Sequence, residues 1–256
     1  MDKNKQAVFI TGGTSGIGFS LVEKYIQEGF FVVINYCNGG KNISIVIDKL
    51  LISGYVENKD YIFFRADITN ESELTNLFTS IDSSIIEKIC ICINNAGILK
   101  RGSILELNQS DWVDVFNVNV FGVVNVSKLI ATKCKNLNNI VNIGSIRGEP
   151  AISRTNNIAY SISKSTIPTL TAVMAKSFGP QIRVNSILPG TIDTPQRQGI
   201  SEEELELYGE SNTICSRLGK PEEIAELCFF ITSKKSSYIT GSSFVIDGGY
   251  TVNYIK

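Results

Sequence analysis

Tyr160 and Lys164 stand four residues apart in the run Tyr160-Ser161-Ile162-Ser163-Lys164, in a chain of 256 residues that contains no histidine. Imidazole is the side chain that ordinarily moves protons near neutral pH. Its absence excludes a Ser-His-Asp triad, a His-ligated zinc and a histidine general acid. A tyrosine one helical turn before a lysine offers another route, because residues i and i+4 share a helix face. The ammonium is expected to favour phenolate and pull the phenol below its ordinary pKa of about 10, which makes it a usable general acid or base. Taken alone, the spacing has a plainer reading: a half-buried tyrosine with a lysine snorkelling beside it.

The elements that would position this pair alternate along the whole chain. Short runs rich in Val, Ile, Phe and Tyr recur at Ala7–Thr11, Phe30–Tyr36, Tyr61–Arg65, Lys88–Asn94, Asn139–Ile143, Ile182–Ile187 and Ser243–Ile246. Proline-free apolar runs of this length read as buried parallel strands. Helical periodicity lies between them. Ile17–Glu28 puts Leu21, Tyr25 and Ile26 on one side, Asp111–Lys135 is the longest such stretch, Ala159–Phe178 carries the Tyr/Lys pair, and Pro221–Ser233 starts with a proline suited to a first turn. Strand–helix alternation predicts an α/β fold: one doubly wound, Rossmann-type parallel sheet of seven strands flanked by helices, in a single domain spanning 1–256. The polar segment Thr194–Gly219, with Glu202, Glu203, Glu204, Glu206 and Glu210, sits where a substrate lid would, although the charge run itself reads as a solvated helix.

Bulk properties narrow the class. A net charge of -1 argues against nucleic acid or an anionic membrane as the main partner. The six cysteines, Cys37, Cys90, Cys92, Cys134, Cys215 and Cys228, show no CxxC pairing and read as free thiols of a reducing compartment. Cys90 and Cys92 alternate along an apolar run and are expected on one face of a strand. No metal site is expected. The apolar run beginning at residue 7 leaves no room for a signal peptide, and no apolar stretch approaches the length of a membrane span, so the expectation is a soluble, cytoplasmic protein.

The first strand runs directly into Gly12-Gly13-Thr14-Ser15-Gly16-Ile17-Gly18 and then a helix. Glycines there permit a tight turn and close backbone approach to a pyrophosphate resting on the helix N-terminus. The spacing Thr-Gly-x-x-x-Gly-x-Gly, followed by Asn94-Asn95-Ala96-Gly97, Asn119 in the long helix, Ser145 closing the fifth strand, Tyr160 with Lys164, Pro189-Gly190-Thr191-Ile192-Asp193-Thr194, and the closing Asp247-Gly248-Gly249, resembles the short-chain dehydrogenase/reductase family over essentially the whole chain. It is similar in particular to the 3-oxoacyl-acyl-carrier-protein reductases and to secondary-metabolite reductases of like length. One spacing departs: fourteen residues separate Ser145 from Tyr160, a little more than the family's usual dozen or so, so the loop 147–157 is expected to be longer than typical.

The resemblance implies hydride transfer between a nicotinamide and a carbonyl or secondary alcohol. Tyr160 would be the acid/base and Ser145 would hold the carbonyl oxygen. Lys164 would lower the tyrosine pKa and bond the nicotinamide ribose, and Asn119 would position a water behind Lys164. Cofactor contacts are expected from Gly12, Thr14, Ser15, Gly16, Ile17, Gly18, Tyr36, Cys37, Asn38, Asp67, Ile68, Asn94, Ala96, Gly97, Pro189, Gly190, Ile192 and Thr194, besides Tyr160 and Lys164. Asp67 has a second reading, as a helix cap before Thr69-Asn70-Glu71. The second strand ends Asn35-Tyr36-Cys37-Asn38 with no acid to hold a ribose 2′-hydroxyl, which favours NADP(H), with NAD(H) the alternative. The substrate is expected to be an acyl thioester or a small molecule. Arg147, two residues after Ser145, either binds a substrate carboxylate or phosphate or pairs with Glu149 at the rim. The family's assemblies imply a homotetramer or homodimer. A nucleotide-sensing protein without catalysis is a further alternative, against which the four residues Asn119, Ser145, Tyr160 and Lys164 argue together.

Overall fold

The structure, a computed structural model, describes residues 5–37, 40–195 and 201–253. Asn38 and residues 196–200 of the expected lid lie outside the described residues. Among those described, the apolar runs form seven strands: β1 (Ala7–Thr11), β2 (Phe31–Tyr36), β3 (Tyr61–Arg65), β4 (Ile89–Asn94), β5 (Asn139–Ile143), β6 (Arg183–Pro189) and β7 (Ser243–Ile246). They join in the order β3-β2-β1-β4-β5-β6-β7, every neighbouring pair parallel. The strand order reverses between β1 and β4. In such sheets the crevice at the carboxyl ends of those two strands is where ligands sit.

Helices cover both faces: α1 (Gly16–Gln27), α2 (Gly40–Ile52), α3 (Glu71–Ser80), α4 (Ser83–Ile86), α5 (Gln109–Phe116), α6 (Gly122–Lys133), α7 (Ile158–Phe178), α8 (Glu202–Asn212) and α9 (Pro221–Thr232). Side chains of a strand alternate between faces. Val8 and Ile10 of β1 therefore pack with Leu21 and Tyr25 of α1 and with Cys228 and Ile231 of α9. Ala7 and Phe9 pack on the other side with Leu74 and Phe78 of α3, Ile130 of α6 and Met174 of α7. Coverage on both faces is why the central strands lack the polar alternation of a half-exposed sheet.

Two expectations are corrected here. Cys90 and Cys92 do not share a face. The register with β1 steps from Ala7↔Ile89 to Val8↔Ile91, so Cys90 is an extra residue in a β-bulge. Cys90 then packs with the α1/α9 side and Cys92 with the α3/α6 side. The stretch expected at Asp111–Lys135 starts earlier, at an Asn108 capping box closed by Asp111, and ends at Lys133. It is also interrupted by a π-helical turn, Asn117–Phe121. By length and composition alone this helical run, Gln109–Lys133, would suffice to cross a membrane, which the sequence reading had not expected. In the fold its apolar residues Val126 and Ile130 are buried against the sheet.

Candidate active site

The glycine loop is shaped by contacts that leave no room for side chains. Gly12 and Gly16 take φ values of +64° and +49°, a region that favours glycine. A Cβ on Gly18 would fall 2.1 Å from the Gly12 carbonyl oxygen, so the first turn of α1 rides directly on the loop. Asn95 Nδ2 donates to the carbonyls of Thr11 and Gly12 at 3.0 Å each, and Thr11 Oγ1 accepts from the Asn95 and Ala96 amides at 3.0 Å each. These bonds stitch the ends of β1 and β4 together at the crevice. Ser15, at the N-cap of α1, makes no side-chain capping bond, and no acid lies in that first turn. An uncapped helix start beside a glycine loop suits a phosphate.

The other residues expected around a cofactor gather at the same sheet edge. Thr194 lies over Gly16, whose added Cβ would stand 3.1 Å from Thr194 Cγ2. Ile192 bridges to Gly219, and Gly190 donates to the Ile246 carbonyl. Tyr36 ends β2 opposite Arg65 at the end of β3, and Cys37 follows it. Burial raises the Cys37 thiol pKa, and the neighbouring Asp67 carboxylate raises it further. Asp67 does not cap α3: its Oδ1 accepts from the amide and hydroxyl of Thr69, both at 2.8 Å, while Asn70 caps the helix through the amides of Ser72 and Glu73. Ile68 is buried, against Gly122. Asn94 turns inward, its Nδ2 donating to Ser127 Oγ at 2.9 Å and Asn142 Oδ1 at 2.8 Å.

Ser145, Tyr160, Lys164 and Asn119 converge where β4 and β5 end. Ser145 caps the 3-10 turn Ile146–Gly148, its Oγ accepting from the Arg147 amide at 3.1 Å. Tyr160, in the first turn of α7, comes near enough to Ser145 that the serine side chain lowers the phenol pKa. Lys164 is buried, and its Nζ donates to the Ile143 carbonyl at 2.9 Å. Asn119 sits in the π turn. Its Oδ1 accepts from the Ile98 amide at 2.8 Å, and its Nδ2 donates to the Ile98 carbonyl at 3.0 Å and to Ser163 Oγ at 2.9 Å. Gly97 closes the group: a Cβ there would stand 3.2 Å from Asn119 Oδ1 and 3.5 Å from Lys164 Nζ.

Electrostatics at this cluster correct one expectation. Burial raises the Tyr160 pKa above its ordinary value, outweighing the Ser145 side chain and the Arg147 charge, which lower it. The Lys164 ammonium lies over the ring face and donates to the Ile143 carbonyl rather than to the phenol. Burial instead pushes Lys164 itself from 10.5 to about 8. Tyr160 is therefore a protonated phenol at neutral pH in this state, poised to donate.

Arg147 does not pair with Glu149. Its guanidinium donates to the Ile152 carbonyl at 2.9 Å, to Tyr250 Oη at 3.2 Å and to Tyr208 Oη at 3.0 Å, and it lies 4.8 Å from the centre of the Tyr250 ring. Glu149, the C-cap of the turn that carries Arg147, is left exposed.

A family model described as Enoyl-(Acyl carrier protein) reductase matches residues 12–251. The chain belongs to the short-chain dehydrogenase/reductase family. A 3-oxoacyl-[acyl-carrier-protein] reductase of Thermotoga maritima is 31% identical, the match covering 95% of this chain and 96% of that one. An NADP-dependent (R)-specific alcohol dehydrogenase of Lentilactobacillus kefiri is 30% identical, covering 97% of each. Among solved structures, a short-chain dehydrogenase/reductase of Serratia marcescens superposes with a TM-score of 0.83 at 28% identity, covering 96% of this chain and 98% of that one. This short-chain dehydrogenase/reductase is accordingly an NAD(P)-dependent carbonyl/alcohol oxidoreductase.

Several residues of this short-chain dehydrogenase/reductase escaped the sequence reading. Ser163, which holds Asn119, is an unremarked serine inside Tyr-x-x-x-Lys. Pro168 lies within α7, four residues after Lys164, so the Lys164 carbonyl lacks its helical amide partner. The turn Ile146–Gly148 packs against that point, where a Cβ on Gly148 would meet the Ser165 amide nitrogen at 2.7 Å. A proline inside an otherwise helical pattern was the available signal. Tyr208 and Tyr250 join the site only through folding, 61 and 103 residues from Arg147, and nothing local marks them.

Proposed function

We propose that the protein is an NADP(H)-preferring reductase that converts a carbonyl to a secondary alcohol, with Tyr160 as proton donor. The observation that carries this is the convergence of Ser145, Tyr160, Lys164 and Asn119 beside the uncapped glycine loop. A bound nicotinamide supplies the hydride to the carbonyl carbon. Gly12, Thr14, Ser15, Gly16, Ile17 and Gly18 would hold its diphosphate. Tyr36, Cys37, Asp67 and Ile68 would take the adenosine end, and Asn94, Ala96, Gly97, Pro189, Gly190, Ile192 and Thr194 the nicotinamide end. Asn94 would act through its backbone, since its amide is already bonded.

Tyr160 gives its proton to the carbonyl oxygen, so carbon gains the hydride and oxygen the proton. Ser145 Oγ, near the phenol, would hold the same oxygen and stabilise its developing charge. Lys164 carries a proton close to neutral pH and restores the one Tyr160 loses. Asn119, bonded to Ile98 and Ser163 beside Lys164, would position the water from which Lys164 regains that proton. The absence of an acid at the end of β2 and the NADP-dependent relative support the NADP preference. The helix α8 would act as a lid. Free cysteines throughout the described residues suit a reducing, cytoplasmic setting. Exposed Val113, Phe121, Val124, Ile162 and Val173 on α5–α7 and the π turn favour self-association into a dimer or tetramer.

The test is the oxidation of NADPH and NADH by purified protein against a panel of carbonyls that includes a 3-oxoacyl thioester. NADPH-dependent turnover supports the reading, and no nicotinamide oxidation with any carbonyl overturns it. Fast reduction of the thioester would identify an acyl-chain reductase. Reduction of small carbonyls alone would favour a specialised small-molecule enzyme, the reading that the Arg147 surroundings support.

A further inference from the structure

Two arginines, the half-buried Arg147 and the exposed Arg154, meet at one tyrosine of α8 without a carboxylate beside them. Arg147 Nη2 and Arg154 Nη2 both donate to the phenol oxygen of Tyr208 on α8, Arg147 at 3.0 Å. Arg154 also lies 5.6 Å from the Tyr208 ring centre. Arg147 further bonds Tyr250, whose phenol burial alone would raise but which the Arg147 bond, Tyr208 and the arginine charge hold below its ordinary pKa. Among the described residues, neither guanidinium has an acidic side chain within ion-pairing distance. Arg147 is half-buried, and every acceptor around it is neutral. A partly desolvated cation surrounded by neutral acceptors is an incomplete arrangement, which an anion would complete.

From this geometry we infer that the substrate carries a carboxylate or phosphate within a few bonds of its reacting carbonyl, held by Arg147 and Arg154 under Tyr208. The inference rests on the reductase reading above and names its substrate class. Position sets the reach. The Arg147 amide bonds Ser145 Oγ, and the Arg147 charge reaches the Tyr160 phenol. An anion on the guanidinium therefore lies close to the carbonyl that Ser145 and Tyr160 would hold. A neutral acyl chain offers nothing to that charge, and the phosphate of a carrier-protein arm lies much farther along its linker. The planar fork of Arg147 matches two oxygens of one anion, and the phenols of Tyr208 and Tyr250 can turn their protons toward it. Since Tyr208 belongs to α8, a bound anion would also draw that helix down over the site.

The experiment compares kcat/KM with NADPH for 2-oxobutanoate, 3-oxobutanoate and 4-oxopentanoate against their methyl esters, and for dihydroxyacetone phosphate against dihydroxyacetone. At least one charged member should exceed its neutral counterpart tenfold or more, the acid or phosphate arm showing which anion is meant. In Arg147→Met that charged-to-neutral ratio should collapse toward one, with Arg154→Met giving a smaller fall. The ratio is taken within each variant, so partial loss of folded protein cancels. Arg147→Lys, which keeps the charge and loses the fork, should fall between. Turnover of neutral carbonyls with no advantage for any charged partner, or a ratio untouched in Arg147→Met, overturns this inference alone. No turnover of any carbonyl, charged or neutral, overturns the reductase reading and this inference with it.

Discussion

The Lys164 ammonium stands over the face of the Tyr160 ring, 5.9 Å from its centroid, and donates to the Ile143 carbonyl rather than to the phenol. Four-residue spacing on α7 brings the two side chains to one face, as helix geometry requires. Sharing a face does not by itself decide a proton's place. The carbonyl at the end of β5 takes the ammonium, and burial of the phenol outweighs the Ser145 side chain and the Arg147 charge. In this arrangement Tyr160 is an acid held ready, and the reductive direction needs no prior loss of its proton.

Tyr160→Phe removes that proton and leaves the glycine loop intact. Turnover should fall by about a hundredfold or more, the scale of a positioned general acid. NADPH binding, read by quenching of its fluorescence or by a thermal shift, should survive. Because burial raises the phenol pKa, the wild-type rate of alcohol oxidation should climb as pH rises above neutral, while carbonyl reduction loses rate in that direction. Retained turnover in the phenylalanine variant would sink the mechanism.

Lys164 makes a stability prediction with a defined sign. Its folded pKa is about 8 against an ordinary 10.5. Between those values the unfolded chain binds more protons than the folded one, so stability rises with pH across that window. Below about pH 8 both states hold the proton, and the cost of burying the charge is present in full. That cost is on the order of 3 kcal/mol, less whatever the bond to Ile143 returns. Lys164→Met should therefore lose its relative advantage in urea midpoint between pH 7 and pH 10. A wild-type-to-variant difference that stays constant over that range would refute the assignment.

Gly18 tests the cradle. An alanine Cβ would lie 2.1 Å from the Gly12 oxygen and 2.6 Å from Asn95 Nδ2, so loop and helix must part. The cost should be about 1–3 kcal/mol, as for other overpacked sites. Separating the loop from α1 should also weaken NADPH binding at least tenfold. A Gly18→Ala protein with both an unchanged melting temperature and unchanged NADPH affinity would show that the close approach is not needed.

How far the chain discloses itself depends on the range of the interaction. The strands at Ala7–Thr11, Tyr61–Arg65, Asn139–Ile143 and Ser243–Ile246 fall where composition places them: burial on both faces selects Val, Ile and Phe in Ala7–Thr11 and Asn139–Ile143, and partial burial keeps Ile, Phe and Val in the edge strands Tyr61–Arg65 and Ser243–Ile246. The glycine loop and the Tyr160/Lys164 pair are also local patterns. What is not local was not legible. The bulge at Cys90 arises from pairing with β1, so the alternation seen along Lys88–Asn94 predicted the wrong face. The π turn at Asn117–Phe121 is set by packing around Asn119, and a 3.6-residue pattern runs through it unmarked. Glu149 is the acid nearest Arg147 in sequence, yet the partners are Tyr208 and Tyr250, brought in by α8 and by the turn after β7.

The proposed NADP(H) preference rests on the end of β2, where two side chains have different surroundings. Asn35 is buried, its Nδ2 donating to the Ala66 carbonyl at 3.0 Å, so its side chain points into the protein. Tyr36 is the last residue of the strand, half-buried, its ring edge-on to Phe63 at 6.3 Å. An acid at a strand end of this kind bonds the ribose hydroxyls of NAD and repels the extra phosphate of NADP. Wild-type protein should use NADPH in preference to NADH. Tyr36→Asp should move the NADPH-to-NADH ratio of kcat/KM by tenfold or more toward NADH, with both constants measured on one carbonyl. The aspartate loses the contact with Phe63, so the ratio, and not the absolute rate, is the quantity to compare. A wild-type enzyme that prefers NADH, or a ratio that the aspartate leaves in place, would remove the NADP preference from the end of β2.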